Sequence, residues 1–284
     1  MPAIDRRDEP ENGPPEVHHA FLNEFLTGIA NGTSPFSKGL SWAAESLGPE
    51  ALQESYKTNP AWGNMKHHIV GVGEALHYAT DNRDPFSSCQ DYNRFGGNGI
   101  GNNKEIADWF GIPGGYLKKE YGGEDEMVYD GIEEETIWIQ HHQSVKNALH
   151  ICELSSCPGQ FFHPPDMDIR ILESRALSAA TGIDYDVEKL WEAGERIYNL
   201  RRSVMVLRED RQRDDDTLAP VWYEKLVPGG PPEPIDREKW EAVKDRFYER
   251  RGWSMDRGRP TRAKLESLGM KDIADGLDSA GKLG

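Results

Sequence analysis

The chain has 284 residues, a formal net charge of -16 and 37% hydrophobic residues, enough to bury a sizeable core in one large or two ordinary domains. This acidic balance argues against binding nucleic acid or an anionic membrane, because binding phosphate requires a basic surface. An apolar run long enough to span a membrane is absent and the N-terminus is polar and acidic, so we expect a cytoplasmic protein.

The first elements in chain order are predicted to be helices. Residues 1–16 are rich in Pro, Asp, Glu and Arg, and they predict a disordered lead-in. Residues 17–29 and 38–47 carry apolar side chains at helical spacing, and Gly48 and Pro49 are typical helix-stop residues. We therefore expect a helical hairpin here.

A short helix over residues 73–80 is predicted to lead into a possible site. Residues 81–101 are rich in Gly, Asn, Asp and Ser, and loops of this kind often carry binding residues. Gly97 to Gly101 resemble a dinucleotide loop superficially, but the GxGxxG spacing and a preceding apolar strand are missing. The segment therefore predicts the wall of a site, without a nucleotide.

The middle of the chain predicts two further helices, over residues 133–152 and 169–181, on either side of a Pro-rich turn. Cys152 lies at the end of the first, which carries Val145, Ala148 and Leu149 on one face. By pattern alone Cys152 is a buried structural cysteine, and Cys157 is interpreted in the same way.

The most strongly patterned helix begins after Asp184 or Asp186, either of which stands where an N-cap belongs. We expect its apolar residues at spacings of three and four to form one buried face: Leu190, Ala193, Ile197, Leu200, Val204 and Leu207. A dense block of both charge signs follows, over residues 201–216. This block either faces solvent or folds inward as a charged network, and the pattern leaves both open.

The C-terminal part predicts another helix after a break at residues 227–234. Asp236 is its expected N-cap, and Trp240, Val243 and Phe247 share a face. Sustained alternation of apolar and polar residues is absent along the chain. The fold class is therefore mainly α, with two bundle-like helical domains joined by short irregular loops, predicted over residues 17–135 and 136–284.

Cysteines and histidines give weak signals on their own. The three cysteines, Cys89, Cys152 and Cys157, are an odd number without regular spacing, which argues against a disulfide scaffold. His142 and His150 lie too far apart on the predicted helix to share a metal as neighbours. Solvated or hydrogen-bonded histidines are favoured, and a zinc hydrolase is the weakest of the functional hypotheses.

Several segments together resemble the C-terminal domains 2 and 3 of the tungsten-containing aldehyde:ferredoxin oxidoreductase family. GERIYNLRRSVMVLRED and DDDTL are similar to the family's GERIYNLER and DDTLP, and Asn147 to Cys152 resemble its Asp-Ser-Leu-Gly-Leu-Cys segment. Ala75 to Arg83 are similar to its GLAYATSNRG element, and residues 236–253 and 259–277 to its closing helices. The resemblance covers roughly residues 17–277, in collinear order.

This resemblance implies site residues. Cys152 would be the fourth thiolate ligand of a four-iron four-sulfur cluster. Asn147 and His150, which stand where the family has Asp and Gly, would contact the pterin, and Arg83 is assigned to cofactor binding as well. Cys89 stands near the place of a family histidine that transfers protons, and a thiol can do so when a nearby charge such as Arg83 lowers its pKa.

The resemblance also implies missing parts. The sequence contains no CxxCxxxC group, which supplies the other three cluster ligands in the family, and the match starts inside the second domain. The family's N-terminal β-sheet domain, which holds the pterin, has no counterpart in these residues. We therefore expect the cluster and the tungsto- or molybdopterin only together with an N-terminal domain or subunit, and exposed apolar surface where it would bind.

Two hypotheses follow. In the first, the chain is the C-terminal part or subunit of a tungsten or molybdenum pterin, iron–sulfur oxidoreductase that acts on an aldehyde or related oxo substrate with a ferredoxin as acceptor. In the second, the chain is a cofactor-free helical interaction subunit derived from the same family, since His150 and the absent histidine in the 84–92 segment depart from the family pattern.

Overall fold

The computed structural model of the chain describes residues 15–54, 72–81, 129–151, 169–218, 220–224 and 233–284. These residues form α-helices, two short 3-10 helices and one isolated bridge between Trp253 and Pro260. The helices are α1 (Pro15–Ala30), α2 (Leu40–Leu47), α3 (Pro49–Glu54), α4 (Val72–Thr80), α5 (Ile132–Ala148), α6 (Ile169–Thr181), α7 (Val187–Glu209), α8 (Val221–Glu224), α9 (Arg237–Arg251), α10 (Arg262–Ser267) and α11 (Lys271–Ser279). The predicted mainly α class is confirmed.

The chain divides into two compact units, residues 1–55 and 56–284. The first contains α1, α2, α3 and a 3-10 helix (Pro35–Lys38) that is capped by the Ser34 side chain. Phe25 packs against Phe36 with ring centroids 5.6 Å apart. The boundary predicted after residue 135 separates two domains of the family, and the one after residue 16 ends a disordered lead-in; both remain predictions.

The second unit has a core that draws on α4, α5, α7, α8 and α9. Its largest fully buried side chains include Trp222, Trp240, Tyr198 and Tyr248. The predicted shared face of α9 is confirmed, since Trp240, Val243 and Phe247 are all buried. A smaller apolar cluster joins Val206 of α7 to residues of α10 and α11.

The N-terminal ends of α7 and α9 follow the expected capping chemistry. Asp186, one of the two predicted candidates, caps α7 by accepting a hydrogen bond from the amide of Lys189 (2.7 Å). Asp236 caps α9 in the same way through the amide of Lys239 (2.9 Å). Both acidic side chains also lie where the positive end of the helix dipole favours them.

Helix α5 ends earlier than the predicted residue 152. The amide of His150 donates to the carbonyl of Asn147 (3.3 Å), and the amide of Ile151 donates to the carbonyl of Lys146 (2.9 Å). These two bonds, with His150 at a φ of 58°, form a Schellman motif that stops the helix. The predicted apolar face is correct only in part, since Val145 is buried and Ala148 is exposed.

The predicted buried stripe of α7 is wrong in its C-terminal half. Leu190 is buried, but Leu200, Val204 and Leu207 are 41%, 42% and 50% exposed. The face that α7 buries consists instead of Leu190, Gly194, Tyr198, Asn199, Arg202, Ser203, Met205 and Val206. Its hydrogen-bonding side chains have partners at the end of α4 and in the segment after α9, which is why a polar face can be covered.

A close approach of α5 and α7 fixes this choice of face. A Cβ atom at Gly194 would lie 2.6 Å from the carbonyl oxygen of His141 and 3.0 Å from Val145. Only a residue without a side chain fits between the two backbones at this point. Gly194 therefore turns the polar side of α7 toward α5.

Candidate functional site

Two helix ends mark the described border of the predicted site. α4 ends at Thr80, and the predicted site segment 81–101 follows it directly. α5 ends at Ala148, shortly before Cys152. The structure describes Asp81 and residues 149–151 of these stretches, so the side chains around the two ends define the candidate site.

The C-terminal end of α4 is held by three other parts of the chain. Tyr198 donates its hydroxyl to the carbonyl of Thr80 (2.9 Å), and Arg211 donates to the carbonyl of Ala79 (2.6 Å). Gln140 on α5 donates to the Thr80 hydroxyl (2.9 Å). Carbonyls in the last turn have no partner within the helix, so these bonds fix the backbone where the predicted site segment begins.

A buried contact between a histidine and an aspartate lies at the same end of α4. The His77 Nε2 atom is 2.9 Å from the Asp81 Oδ2 atom, and their side chains are 0% and 4% exposed. The two residues are one helical turn apart, so the helix itself brings them together. A guanidinium nitrogen of Arg201 lies 3.9 Å from the other carboxylate oxygen. Asp81 therefore enters the predicted site segment as a paired carboxylate.

A buried charged network around Asp216 supports Arg211. Arg202 donates to both oxygens of Asp216 (2.9 and 2.7 Å), and Arg211 donates to one of them through two nitrogens (3.0 and 2.7 Å). The Tyr248 hydroxyl donates to Asp216 as well (2.7 Å), and Arg202 also donates to the carbonyl of Gly258. The carboxylate thus joins α7, the charged block and α9 at one point.

The electrostatics of the network follow from burial and pairing. Burial alone would raise the pKa of Asp216, but Arg202 and Arg211 outweigh it and hold this pKa below its ordinary value. Burial and the nearby Asp216 carboxylate raise the pKa of Tyr248 well above its ordinary value. Tyr248 therefore stays a proton donor, and Asp216 stays an acceptor.

Arg251 is a second buried cation beside the candidate site. It donates to the Nε2 atom of His141 (2.6 Å) and to the side-chain oxygen of Gln140. Its guanidinium group lies over the rings of Tyr198 and Phe247, at 4.1 and 5.3 Å from their centroids. Among the residues that the structure describes, Arg251 makes no ion pair.

This environment determines the protonation of His141. Burial, followed by the charges of Arg251 and Lys264, lowers the pKa of His141 well below its ordinary value. Burial also lowers the pKa of Arg251 to about 10, so the arginine remains charged near neutral pH. Because Arg251 donates to Nε2, His141 is a neutral acceptor that carries its proton on Nδ1.

A third buried pair links α5 to α6. The Nε2 atom of His142 lies 2.9 Å from an oxygen of Glu173, and both side chains are buried. Trp191 of α7 packs on the His142 ring, and the Arg170 guanidinium lies 5.0 Å from the Trp191 centroid. The expectation that these histidines are hydrogen-bonded is confirmed for His141 and His142.

The structure describes two of the predicted site residues. Asn147 is half-buried in the last turn of α5, and His150 is exposed at the Schellman turn. Arg83, Cys89 and Cys152 lie outside the described residues, as do most of segment 81–101 and Cys157. The roles assigned to these residues remain predictions.

The charged block over residues 201–216 combines the two alternatives that the sequence left open. Arg202, Arg211 and Asp216 are buried in the network, whereas Arg208 and Asp214 are exposed. The sequence does not show which charged residues of the block are buried, because each buried residue has neighbours of the same charge that face solvent. The His77–Asp81 pair did carry a signal, the i,i+4 spacing of two groups that can pair.

Neither a metal centre nor a membrane span is found within the described ranges. No group of three or more His, Cys, Asp or Glu side chains there is arranged to hold a metal ion. No described helix is both long enough and apolar enough to cross a bilayer.

Comparison with known proteins gives one family. The sequence model of the family described as aldehyde ferredoxin oxidoreductase, domains 2 and 3, matches residues 18–270. Among curated proteins, the tungsten-containing aldehyde ferredoxin oxidoreductase of Pyrococcus furiosus is 34% identical over 97 residues, and that of Thermococcus kodakarensis is 33% identical over 102 residues. Each of these matches covers 34% of this chain and 16% of the relative.

A solved structure shows the same fold over nearly the whole chain. It is described as the active site complex BamBC of benzoyl coenzyme A reductase in complex with 1,5-dienoyl-CoA. The TM-score is 0.71 at 21% identity, and the match covers 98% of this chain and 42% of that one. The chain thus spans less than half the length of the solved protein that it resembles.

Proposed function

The chain belongs to the aldehyde ferredoxin oxidoreductase family, in the part described as domains 2 and 3, and from this membership we propose that it is the C-terminal part or subunit of a tungsten or molybdenum pterin, iron–sulfur oxidoreductase. Its substrate is an aldehyde or a related oxo compound, and its electron acceptor is a ferredoxin. The enzyme works in the cytoplasm. Activity requires an N-terminal domain or subunit that carries a CxxCxxxC group.

The observation that carries this proposal is the turn at the end of α5. His150 has a φ of 58° at the position where the family segment has glycine, the residue that adopts this region most readily. The turn is therefore compatible with the backbone of the family's segment, although the side chain differs. It leaves Asn147 at the helix end, five residues before Cys152 in the sequence.

The cysteines of this chain do not fit a complete cluster. A four-iron four-sulfur cluster takes four thiolates, and the sequence contains three cysteines, none in a CxxCxxxC arrangement. The chain alone therefore does not provide the donor set, and no electron-transfer step is assigned to it alone. Cys152 would supply one ligand and the partner the other three.

The pterin contacts proposed for this chain lie at the two helix ends. Asn147 and His150 would hold the pterin from the end of α5, and Arg83 from the segment after α4. A bound tungsten or molybdenum pterin supplies two-electron oxidation of the substrate. Cys89 would hold or move a proton beside it.

The hydrogen bonds around α4 support the roles proposed for Arg83 and Cys89. Tyr198 and Arg211 hold the last carbonyls of α4, and His77 pairs with Asp81 at the first position after it. Segment 81–101 therefore starts from a rigid backbone position. Catalytic groups need such support, because a displacement of about 1 Å can lower a rate about a hundredfold.

Co-expression with an N-terminal polypeptide tests the proposal. The full chain is purified without oxygen, alone and together with a polypeptide that contains the CxxCxxxC group, and tungsten, molybdenum, iron and zinc are measured. We expect iron with tungsten or molybdenum only in the complex, together with reduction of ferredoxin by an aldehyde. An aryl-CoA thioester, the substrate class named for the solved neighbour, is assayed in parallel.

A matched pair of cysteine variants locates the cluster ligand. Cys152→Ser should remove the cluster signal from the electron paramagnetic resonance spectrum of the complex, and Cys157→Ser should retain it. An unchanged spectrum in Cys152→Ser would contradict the ligand role.

A cofactor-free interaction subunit is the second candidate, and the exposed apolar residues of α7 favour it. A complex that forms but contains no tungsten, molybdenum or iron would support this alternative and overturn the first proposal. One equivalent of zinc in the lone chain would indicate a zinc hydrolase instead.

A further inference from the structure

The exposed apolar stripe of α7 has the spacing of a coiled-coil seam. Ala193, Ile197, Leu200, Val204 and Leu207 are separated alternately by four and three residues. Leu200, Val204 and Leu207 are 41%, 42% and 50% exposed. A contiguous apolar surface of this regularity is typical of a binding surface for another helix.

The residue types along the seam agree with pairing to one further helix. β-branched residues, Ile197 and Val204, occupy one of the two alternating positions, and Leu200 and Leu207 occupy the other. In coiled coils this arrangement favours two-stranded packing, because the side chains of each layer fit between those of a single partner.

A groove beside the N-terminal half of the seam gives the partner a lateral wall. It has a volume of about 350 Å³ and lies between α7 and the N-terminal end of α11. Met270 and Ile273 provide apolar wall, and Asp272 also lines it. The row of side chains on a docked helix would pack into this groove as ridges pack between helices.

The charges that flank the seam select the partner. Arg196 and Arg208 stand on its two flanks, and neither makes an ion pair with the residues that the structure describes. Asp210, an acidic residue on the same flank as Arg196, is already paired with Arg259 (3.0 Å) and Lys282 (3.4 Å). The flanks of the seam on α7 are therefore basic, although Asp272 adds one carboxylate on the α11 side of the groove.

A second copy of the chain would place arginine against arginine across this seam, which is unfavourable. A helix with acidic flanks would pair with Arg196 and Arg208 instead.

We propose that the seam from Ala193 to Leu207 is the docking surface for one amphipathic helix of a partner polypeptide, with an apolar Ile/Leu seam and acidic residues on its flanks. This surface goes beyond the cofactor chemistry proposed above, since docking requires no metal. Its failure and the failure of the oxidoreductase proposal are therefore distinguishable.

Two synthetic peptides of three heptads test the proposal by fluorescence anisotropy with the full chain. They have identical Ile/Leu seams and differ in their flanks, which are Glu in one and Lys in the other. We expect the Glu-flanked peptide to bind about fivefold more tightly, from ion pairs worth a few tenths of a kcal/mol each. Equal affinity of the two peptides would overturn the acidic character of the partner.

Substitutions locate the surface. Leu200→Asp and Val204→Asp should each weaken binding at least about tenfold, since each removes one large apolar contact. Leu172→Asp on α6 is the matched control, because Leu172 is 40% exposed and Leu200 is 41% exposed. An equal loss in Leu172→Asp would overturn the assignment to α7. The double variant Arg196→Glu/Arg208→Glu should prefer the Lys-flanked peptide.

Sedimentation equilibrium tests the alternative that a second copy of the chain occupies the seam. A monomer across the accessible concentrations agrees with a separate partner. Self-association that Val204→Asp abolishes would overturn the proposal and make a second copy the occupant.

Discussion

The two faces of α7 differ in the opposite sense from an ordinary amphipathic helix. The buried face contains Tyr198, Asn199, Arg202 and Ser203, whereas the exposed face contains Leu200 and its apolar neighbours. The buried polar groups have specific partners: Asn199 accepts from the Trp253 indole (2.8 Å). Polarity therefore does not decide which face is covered, because hydrogen bonds and ion pairs compensate the loss of water.

The difference also separates stability from binding. The polar face packs against α5 and α9, so its groups should control folding. The apolar face is largely exposed in the folded chain, so substitutions there should change association rather than the free energy of unfolding. Substitutions on each face test this division.

Asp216→Ala should have the largest effect on stability. It leaves Arg202 and Arg211 buried without their carboxylate, and breaking a buried ion pair costs about 3–5 kcal/mol. The free energy of unfolding, measured by urea denaturation, gives the change. Asp214→Ala is the control in the same acidic triplet, and its exposed side chain predicts a change within about 0.5 kcal/mol. Similar changes in the two variants would contradict the buried network.

Gly194→Ala should come next, with a loss of about 1–3 kcal/mol from overpacking. The added Cβ would lie 2.6 Å from the carbonyl oxygen of His141, so α5 and α7 would have to move apart. Gly276→Ala in α11 meets nothing within 4 Å, and it should stabilise the chain by about 0.5–1 kcal/mol. Thermal and urea unfolding of both variants measure the difference in stability. If both variants are more stable than the unsubstituted chain, the backbones of α5 and α7 are not in close contact.

Two valines two positions apart on α7 compare the faces most directly. Val206 is fully buried and Val204 is 42% exposed. Val206→Ala should lower the free energy of unfolding by about 2 kcal/mol, from lost burial and the cavity left behind. Val204→Ala should change it by less than about 0.5 kcal/mol. The reverse order in urea denaturation would mean that the seam is covered by the chain itself.

The helices of this fold were largely predictable from the sequence, because caps and periodicity are local. Asp186 and Asp236 cap the helices that they were expected to cap, and the helix over residues 169–181 was predicted with its observed bounds. The covered face of α7 was not predictable from its hydrophobicity. Gly194, Tyr198 and Arg202 also recur at helical spacing, so two stripes were present and the neighbouring helices decided between them.

The candidate site was predictable only where spacing is informative. His77 and Asp81 are one helical turn apart, but Arg251 meets His141 from another helix, and no local pattern connects them. The selection of Asp216 from three consecutive aspartates depends on Arg202, Arg211 and Tyr248, which come from three segments.

The smallest expected effect is the dependence of stability on pH through His141, which faces α7. Burial and Arg251 hold the pKa of His141 well below its ordinary value, so in mild acid it is protonated in the unfolded chain and neutral in the folded one. The unfolded state then binds more protons, and stability is lost as the pH falls below about 6.5. The contribution between pH 6.5 and 5.5 is about 1 kcal/mol.

His141→Gln isolates this contribution, because glutamine keeps an acceptor for Arg251 but does not titrate. The loss of unfolding free energy between pH 7.5 and 5.5 should be about 1 kcal/mol smaller in this variant than in the unsubstituted chain. His150→Gln alters an exposed histidine at the end of the same helix and should retain the full loss. If His141→Gln loses as much stability as the unsubstituted chain, another group titrates, and burial beside Arg251 does not hold His141 neutral.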